Sequence, residues 1–397
     1  MKGLRKFLDK QKPAFEKGGK LSMLGSTFRA FDTFLFVPDE TAPKRGTQIR
    51  DAIDLKRTMS VVVIALIPAL LFGMYNVGYQ HFKSIGELAN QEFFDIFLFG
   101  LWKVLPIIVV SYVVGLGIEF AFAQMRGHEV NEGYLVSGML IPLIMPVEAP
   151  LWMVAISVAF AVVIGKEVFG GTGMNIWNPA LVARAFFFFA YPKEMSGSEV
   201  WIADKADAYS GATPLADAAT LVNAAPNETG SILGNMASSW EMFTGFIPGS
   251  IGETSVIAIL IGAAILLFTG VGSWRIMLST VVGAVVMGLI FNFFGGNAYM
   301  TEIPYWQHLI MGGFAFGTVF MATDPVTAAQ TRKGKYIYGF LIGMFAILIR
   351  VVNGGFPESM MLSILMMNTF APLIDHYIIQ GNIKRRLKRA KATNAIA

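Results

Sequence analysis

The clearest candidates for chemistry are the hydroxyls of Ser210-Gly211-Ala212-Thr213, set in "ADAYSGATPLADAA" at residues 206–219. Gly211 permits a tight turn, Ser210 can cap or hydrogen-bond its own backbone, and Thr213 is kept extended by Pro214. By residue type alone this is a helix start or a loop, since no His or Lys stands beside Thr213 to activate it. A second set is the acids in or beside apolar runs: Glu119 in "VVGLGIEFAFAQ", Asp375 at the end of "MMNTFAPLID", and Glu148, Asp324 and Glu358 near run ends. Charge inside an apolar span is expensive and either lines an ion path or finds a partner. Carboxylates are hard oxygen donors, so Glu119 and Asp375 are candidate metal ligands. Arg126 or the arginines near the C-terminus are the alternative, as ion-pair partners. Asp324 precedes Pro325 and equally suits a turn or cap. The histidines, His81, His128, His308 and His376, are scattered without metal-ligand spacing. No catalytic acid, base or nucleophile is assigned.

The elements that must position these groups are membrane spans. Of 397 residues, 54% are hydrophobic and 15% charged, a departure from soluble domains in the membrane direction. The absence of cysteine excludes disulfides, thiolate-held iron–sulfur centres and thiol catalysis within this chain. Ten apolar runs are candidate spans: about 57–77, 97–123, 133–148, 149–168, 176–191, 254–272, 275–295, 306–322, 337–353 and 357–377. Several are short or broken by Gly and Pro. The expected fold is therefore all-α and polytopic.

Charge orients it. Residues 1–57 hold thirteen Lys/Arg against seven Asp/Glu, the stretch 382–397 holds six Lys/Arg and no acid, and 192–253 holds two Lys and eight Asp/Glu. An inside N-terminus also puts Arg126, Lys166, Arg275 and 331–335 inside, as the positive-inside rule asks. Both termini are expected in the cytoplasm. Basic ends could also meet nucleic acid, but no nucleic-acid motif accompanies them. A weak repeat aligns 164–186 with 348–370, and 134–146 with 308–325. Two halves of five spans would be inverted with respect to each other. The expected organisation is a cytoplasmic arm with interfacial segments (1–56), a first five-span repeat (57–191), an extracytoplasmic loop (192–253), a second repeat (254–377) and a basic cytoplasmic tail (378–397).

Four stretches carry a resemblance: "MKGLRKFLDKQKPAFEKGGK", "IRDAIDLKRTM" leading into "GMYNVG", "GGTGMNIWNPALVARAFFFFAYP" and "DAYSGATPL". Along essentially the whole chain it resembles the B-type subunits of sodium-translocating NADH:quinone oxidoreductases. The resemblance implies FMN held by a phosphoester on Thr213, with Ser210, Gly211 and Ala212 completing the motif and a separate transferase making the bond. It implies noncovalent riboflavin, a contribution to the ubiquinone site and sodium path, other subunits as partners, and a bacterial inner membrane.

For the riboflavin, "GGTGMNIWNP" offers Gly170, Gly171 and Gly173 for close backbone approach and the carboxamides of Asn175 and Asn178 for a flavin edge. Trp177 could stack, although an interfacial tryptophan needs no cofactor. "VVNGGFPE" (351–358) would frame the other side. Arg126, His128, Glu129 and Gly138 are the candidates bordering the quinone headgroup; a plain charged loop would look alike. No dinucleotide fingerprint is present, so NADH binding belongs to another subunit. Two alternatives stand beside this reading: the D-type flavin subunit of the related ferredoxin:NAD oxidoreductase, and an inverted-repeat transporter without redox activity.

Overall fold

The computed structural model describes residues 2–15, 55–127, 133–207, 209–225, 228–352 and 358–394, with positions 19, 21, 25, 28, 29, 32 and 46 of the N-terminal arm. Phe31, Phe34, Leu35, Phe36, His128, Glu129 and the Gly354–Gly355 break lie outside the described residues. Among the described residues there are helices and turns and no strand, as expected.

Helix α1 (Lys2–Phe15) belongs to the N-terminal arm, and its Phe15 ring stacks on Phe28 with centroids 4.5 Å apart. The first half then runs through α2 (Leu55–Ser84), α3 (Phe93–Arg126), α4 (Tyr134–Leu143), α5 (Leu151–Val163) and α6 (Pro179–Ala190). After the polar interval, which contains α7 (Pro214–Thr220), come α8 (Val256–Phe268), α9 (Trp274–Phe294), α10 (Arg332–Val352) and α11 (Ser359–Asn394).

Six segments are long and apolar enough to cross a bilayer: Arg57–Ser84, Phe93–Arg126, Leu151–Phe169, Trp274–Phe294, Arg332–Val352 and Ser359–Ala390. The apolar helices α4, α6 and α8 have 10, 12 and 13 residues. At 1.5 Å per residue they are about 15–20 Å long, less than the ~30 Å hydrocarbon core. The sequence run 306–322 is the most broken. It forms Gln307–Ile310, Phe314–Phe316 and a π-helical turn, Gly317–Met321, with Gly312 between them at φ +64°. Short and broken pieces at membrane depth are tolerable where protein covers their backbone. Here Ile141, Leu143, Phe314 and Phe316 are fully buried, whereas Trp102, Val113, Phe293 and Phe294 point outward, as lipid-facing side chains do.

The helices before and after the polar interval pack in two groups. In the first, α3 packs on α4 and α5, α5 on α6, and α4 on α2 and α6. In the second, α9 packs on α10 and on pieces of the broken 307–321 segment, α10 on α11, and that segment on α8 and α11. Helix α2 packs on α8, and α6 on α11. Small residues allow these approaches: a Cβ on Gly283 would strike the carbonyl of Phe340, and one on Gly343 that of Thr280.

Several span boundaries shift from expectation: α2 runs on to Ser84 where 77 was expected, and α10 begins at Arg332 where 337 was expected. Helix α3 extends to Arg126, where Gly127 caps it at φ +68°. Helix α11 runs unbroken from the last span into the basic tail.

Candidate functional site

Thr213 is the N-cap of α7. Its backbone is extended (φ −80°, ψ 153°), Pro214 takes the first helical position, and Oγ1 accepts a hydrogen bond from Ala216 N at 3.1 Å. Ser210 Oγ accepts from Ala212 N at 3.4 Å, the local bonding its residue type suggested. Gly211 is glycine because the chain is pressed against a neighbour: a Cβ there would lie 2.5 Å from the Ser198 carbonyl oxygen. One turn along α7, burial raises the Asp217 carboxyl above the usual aspartate range.

Thr213 opens onto a cleft of about 390 Å³, bounded by Trp201, residues 247–250, Glu253, Thr254, Gly312, Gly313 and Glu358. Behind it Arg184, on α6, donates to Glu253 Oε1 at 2.6 Å, to Ser250 Oγ at 3.2 Å, and to Glu358 Oε2. Arg184 belongs to α6, Glu253 precedes α8, and Glu358 precedes α11. One guanidinium therefore ties α6 to the segments leading into α8 and α11. A second buried arginine, Arg350, donates to the His308 carbonyl at 2.9 Å. The Thr254 hydroxyl is buried without a hydrogen-bond partner among the described residues.

A second cleft, of about 780 Å³, lies toward the other end of the bundle. It is lined by Thr58, Ser137, Lys166, Gly173, Asn175, Asn178 and Asp324, among others. Asn76 on α2 donates to the carbonyl of Ile247, which borders the first cleft, at 2.9 Å. Thr58, Met59 and Val62 on the same helix border the second. Fourteen to eighteen residues of α2 thus separate the clefts, about 21–27 Å along the helix axis.

The residues of "GGTGMNIWNP" are brought together only in part. Gly170, Gly171 and Gly173 have φ of +119°, +95° and +89°, a region where a side chain is strained. Gly173, Asn175 and Asn178 line the second cleft. Asn175 spends its amide on the Trp177 carbonyl, at 2.9 Å, and the Trp177 indole donates to Thr369 Oγ1, at 2.9 Å. The Asn178 carboxamide caps α6, accepting from Ala180 N and Leu181 N, and donates to Asp324 Oδ2 at 3.2 Å. Asp324 also accepts from Val326 N and Thr327 Oγ1, the turn role its place before proline suggested.

The acids are held in separate ways. Glu119 is buried against Lys166, not Arg126. Arg126 instead holds Glu167, donating to Oε2 at 2.9 Å and to the carbonyl at 2.6 Å. Asp375 accepts from Gln330 N, Thr331 N and Thr331 Oγ1 at 2.6, 3.0 and 2.6 Å, and so caps the approach to α10. Glu119 and Asp375 are thus on different elements with different partners. Among the described residues no three His, Asp or Glu gather as a metal-binding group.

Of the quinone candidates, Gly138 is buried inside α4 and its carbonyl accepts from Ser111 Oγ at 2.9 Å. It does not border the second cleft, nor does Arg126. His128 and Glu129 fall outside the described residues. Sequence reasoning passed over Arg184 and Lys166 as site residues. The signal for Arg184 was plain: it is a lone cation within "NPALVARAFFFF", and such a charge needs a buried partner.

The comparisons with known proteins agree with this architecture. The family model for the NQR2, RnfD, RnfE family matches residues 43–384. A protein of Chromohalobacter salexigens, named as the B-type subunit of a Na(+)-translocating NADH-quinone reductase, is 47% identical over 410 residues, covering 98% of this chain and 97% of that protein. Proteins of the same name from Ectopseudomonas mendocina and Azotobacter vinelandii are 46% and 47% identical, covering 98% and 97% of this chain and 99% of each relative. With the match reaching from the N-terminal arm into α11 and the similarity nearly end to end, the chain belongs to the NQR2, RnfD, RnfE family.

Proposed function

We propose that this chain is the membrane subunit of a redox-driven sodium pump, in which electron flow from FMN on Thr213, through riboflavin, to ubiquinone drives sodium export. The relatives' shared name supports the reductase and sodium parts of this reading. The observation that carries the flavin part is Thr213 itself: a hydroxyl at a helix cap, beside a cleft, in a motif whose glycine packs against the Ser198 carbonyl. When bound, the two flavins supply one-electron chemistry; the protein supplies placement and electrostatics.

In this reading Thr213 is the tether, with Ser210, Gly211 and Ala212 shaping its approach. Gly170, Gly171, Asn175, Trp177 and Asn178 are the riboflavin contacts in this reading; of them Asn175 and Asn178 line the second cleft, while Gly170, Gly171 and Trp177 lie outside its lining. Since Asn178 already caps α6, its amide serves a ligand only by sharing its bond to Asp324. Arg126, His128, Glu129 and Gly138 border the quinone at the basic end. Glu119 and Asp375 are sodium ligands on the inner path. At Glu119 the Lys166 ammonium occupies the place a cation would take, so ion and ammonium would exchange. The basic ends put both termini in the cytoplasm of a bacterial inner membrane, and the acidic 192–253 interval outside.

Thr213→Val tests the central assignment. It nearly conserves shape but removes the hydroxyl. The expected result is loss of the flavin fluorescence that follows this subunit through denaturing electrophoresis. Fluorescence that persists on the variant subunit would refute the assignment.

A further inference from the structure

Two of the residues that line the second cleft carry charge, Lys166 and Asp324. Asp324 is satisfied by neutral donors: the Asn178 amide, Val326 N and Thr327 Oγ1. Lys166 is different. Its side chain is 3% exposed, and its ammonium pairs with Glu119, itself 5% exposed. Glu119 is not part of the lining, so the cation stands between this carboxylate and the cleft. We propose that Lys166 sets the electron affinity of the flavin held in the second cleft, with Glu119 behind it as the opposing charge. The proposal rests on the reading that riboflavin occupies this cleft, and it adds a residue outside the contacts named for it.

A lysine ammonium carries three N–H donors, and Glu119 is the one acceptor that Lys166 meets among the described residues. Donor capacity is therefore left over beside an open space. The buried arginines spend theirs elsewhere: Arg184 on Glu253, Ser250 and Glu358, and Arg350 on the His308 carbonyl. Neither lines this cleft, nor does Arg126, which holds Glu167. A buried ion pair is weak evidence for stability, since an apolar pair of similar volume often serves as well. What an apolar pair cannot do is present a positive charge to the cleft.

The charge is presented from a fixed turn. Lys166 lies just beyond α5, and its carbonyl accepts from Phe169 N at 3.2 Å and from Gly171 N at 3.1 Å. Charge beside a flavin ring is one of the means by which a protein tunes its electronics. Added electron density on the ring is attracted by the ammonium and repelled by the carboxylate, each more weakly with distance. The ammonium is the nearer of the two, so the pair as a whole favours reduction and Glu119 attenuates the effect. Removing one charge or the other therefore moves the potential in opposite directions, a signature that a packing role lacks.

The test is spectroelectrochemical titration of riboflavin in the intact purified complex, in potassium buffer without sodium so that ion binding at Glu119 does not enter. Midpoint potential and riboflavin content are measured for Lys166→Met, Lys166→Arg and Glu119→Gln. Lys166→Met should lower the midpoint and Glu119→Gln should raise it. Each shift should be a roughly tenfold change in the reduction equilibrium, about 59 mV for a one-electron couple. Lys166→Arg keeps the charge and should stay near the parent. Glu119→Gln retains an acceptor for the ammonium, so it decides the matter if Lys166→Met loses riboflavin or fails to assemble. Parental midpoints in Lys166→Met and Glu119→Gln, or shifts of the same sign, would overturn the proposal. Val136→Trp, which fills the cleft from α4, separates this proposal from the reading it rests on. Riboflavin retained in Val136→Trp would refute its placement in the second cleft, and the proposal with it. Riboflavin lost there, with unmoved potentials in the charge variants, would refute the role of Lys166 alone.

Discussion

Replacing Arg184 with leucine should destabilise the assembled protein more than any other single change at the outer cleft. The guanidinium is buried and binds two carboxylates and Ser250. Removing one partner of a buried ion pair typically costs about 3–5 kcal/mol, because the remaining charge is stranded. Here two charges are stranded, with side chains 8% and 18% exposed for Glu253 and Glu358. The more exposed Glu358 can turn toward the cleft, so the expected loss is that of about one pair rather than two, again ~3–5 kcal/mol. The assay is thermal unfolding of the detergent-solubilised complex, with subunit stoichiometry measured alongside. Arg184→Leu combined with Glu253→Gln should regain part of the loss, because the stranded charge is gone. A double-mutant cycle isolates that coupling. Parental thermal stability in Arg184→Leu, or a double variant no better than the single, would refute the view that this guanidinium latches α6 to the segments entering α8 and α11.

Glu119→Gln and Asp375→Asn test the proposed sodium-ligand role of these acids: each should raise the half-saturating sodium concentration for quinone reduction while flavin content stays intact. Unchanged sodium dependence in both would leave them with the structural bonds they make, Glu119 to Lys166 and Asp375 to Gln330 and Thr331. Gly211→Ala places a Cβ 2.5 Å from the Ser198 carbonyl, so the backbone of the motif must move. Mass spectrometry should show reduced flavin attachment, and full attachment would show that the close approach is irrelevant to it.

Much of the fold was legible because membrane spans announce themselves by length and apolarity. The helix start after Thr213 was readable, a polar residue followed by proline, whereas Asn178, also followed by proline, was read only for its carboxamide and proves to be the N-cap of α6. The breaks were readable in kind but not in place. Gly312, Gly313 and Gly317 warned of irregular backbone, yet nothing in one sequence foretold a π-helical turn at Gly317–Met321. Ion-pair partners were the least legible. Glu119 and Lys166 are 47 residues apart, and Arg184 and Glu358 are 174 apart. Only packing of the spans decides which buried charges meet. Arg126 looked the nearer partner for Glu119 by sequence, but the turn through Glu167 took it. Thr213 stood out through resemblance, because its local chemistry is that of any helix cap.

The measurement that bears most directly on the central claim is mass spectrometry of the peptide spanning residues 206–219, from protein produced together with its partner subunits and flavin transferase. The account predicts the added mass of FMN less one water, localised by fragmentation to Thr213. An unmodified peptide, or an adduct localised to Ser210 instead, would contradict it.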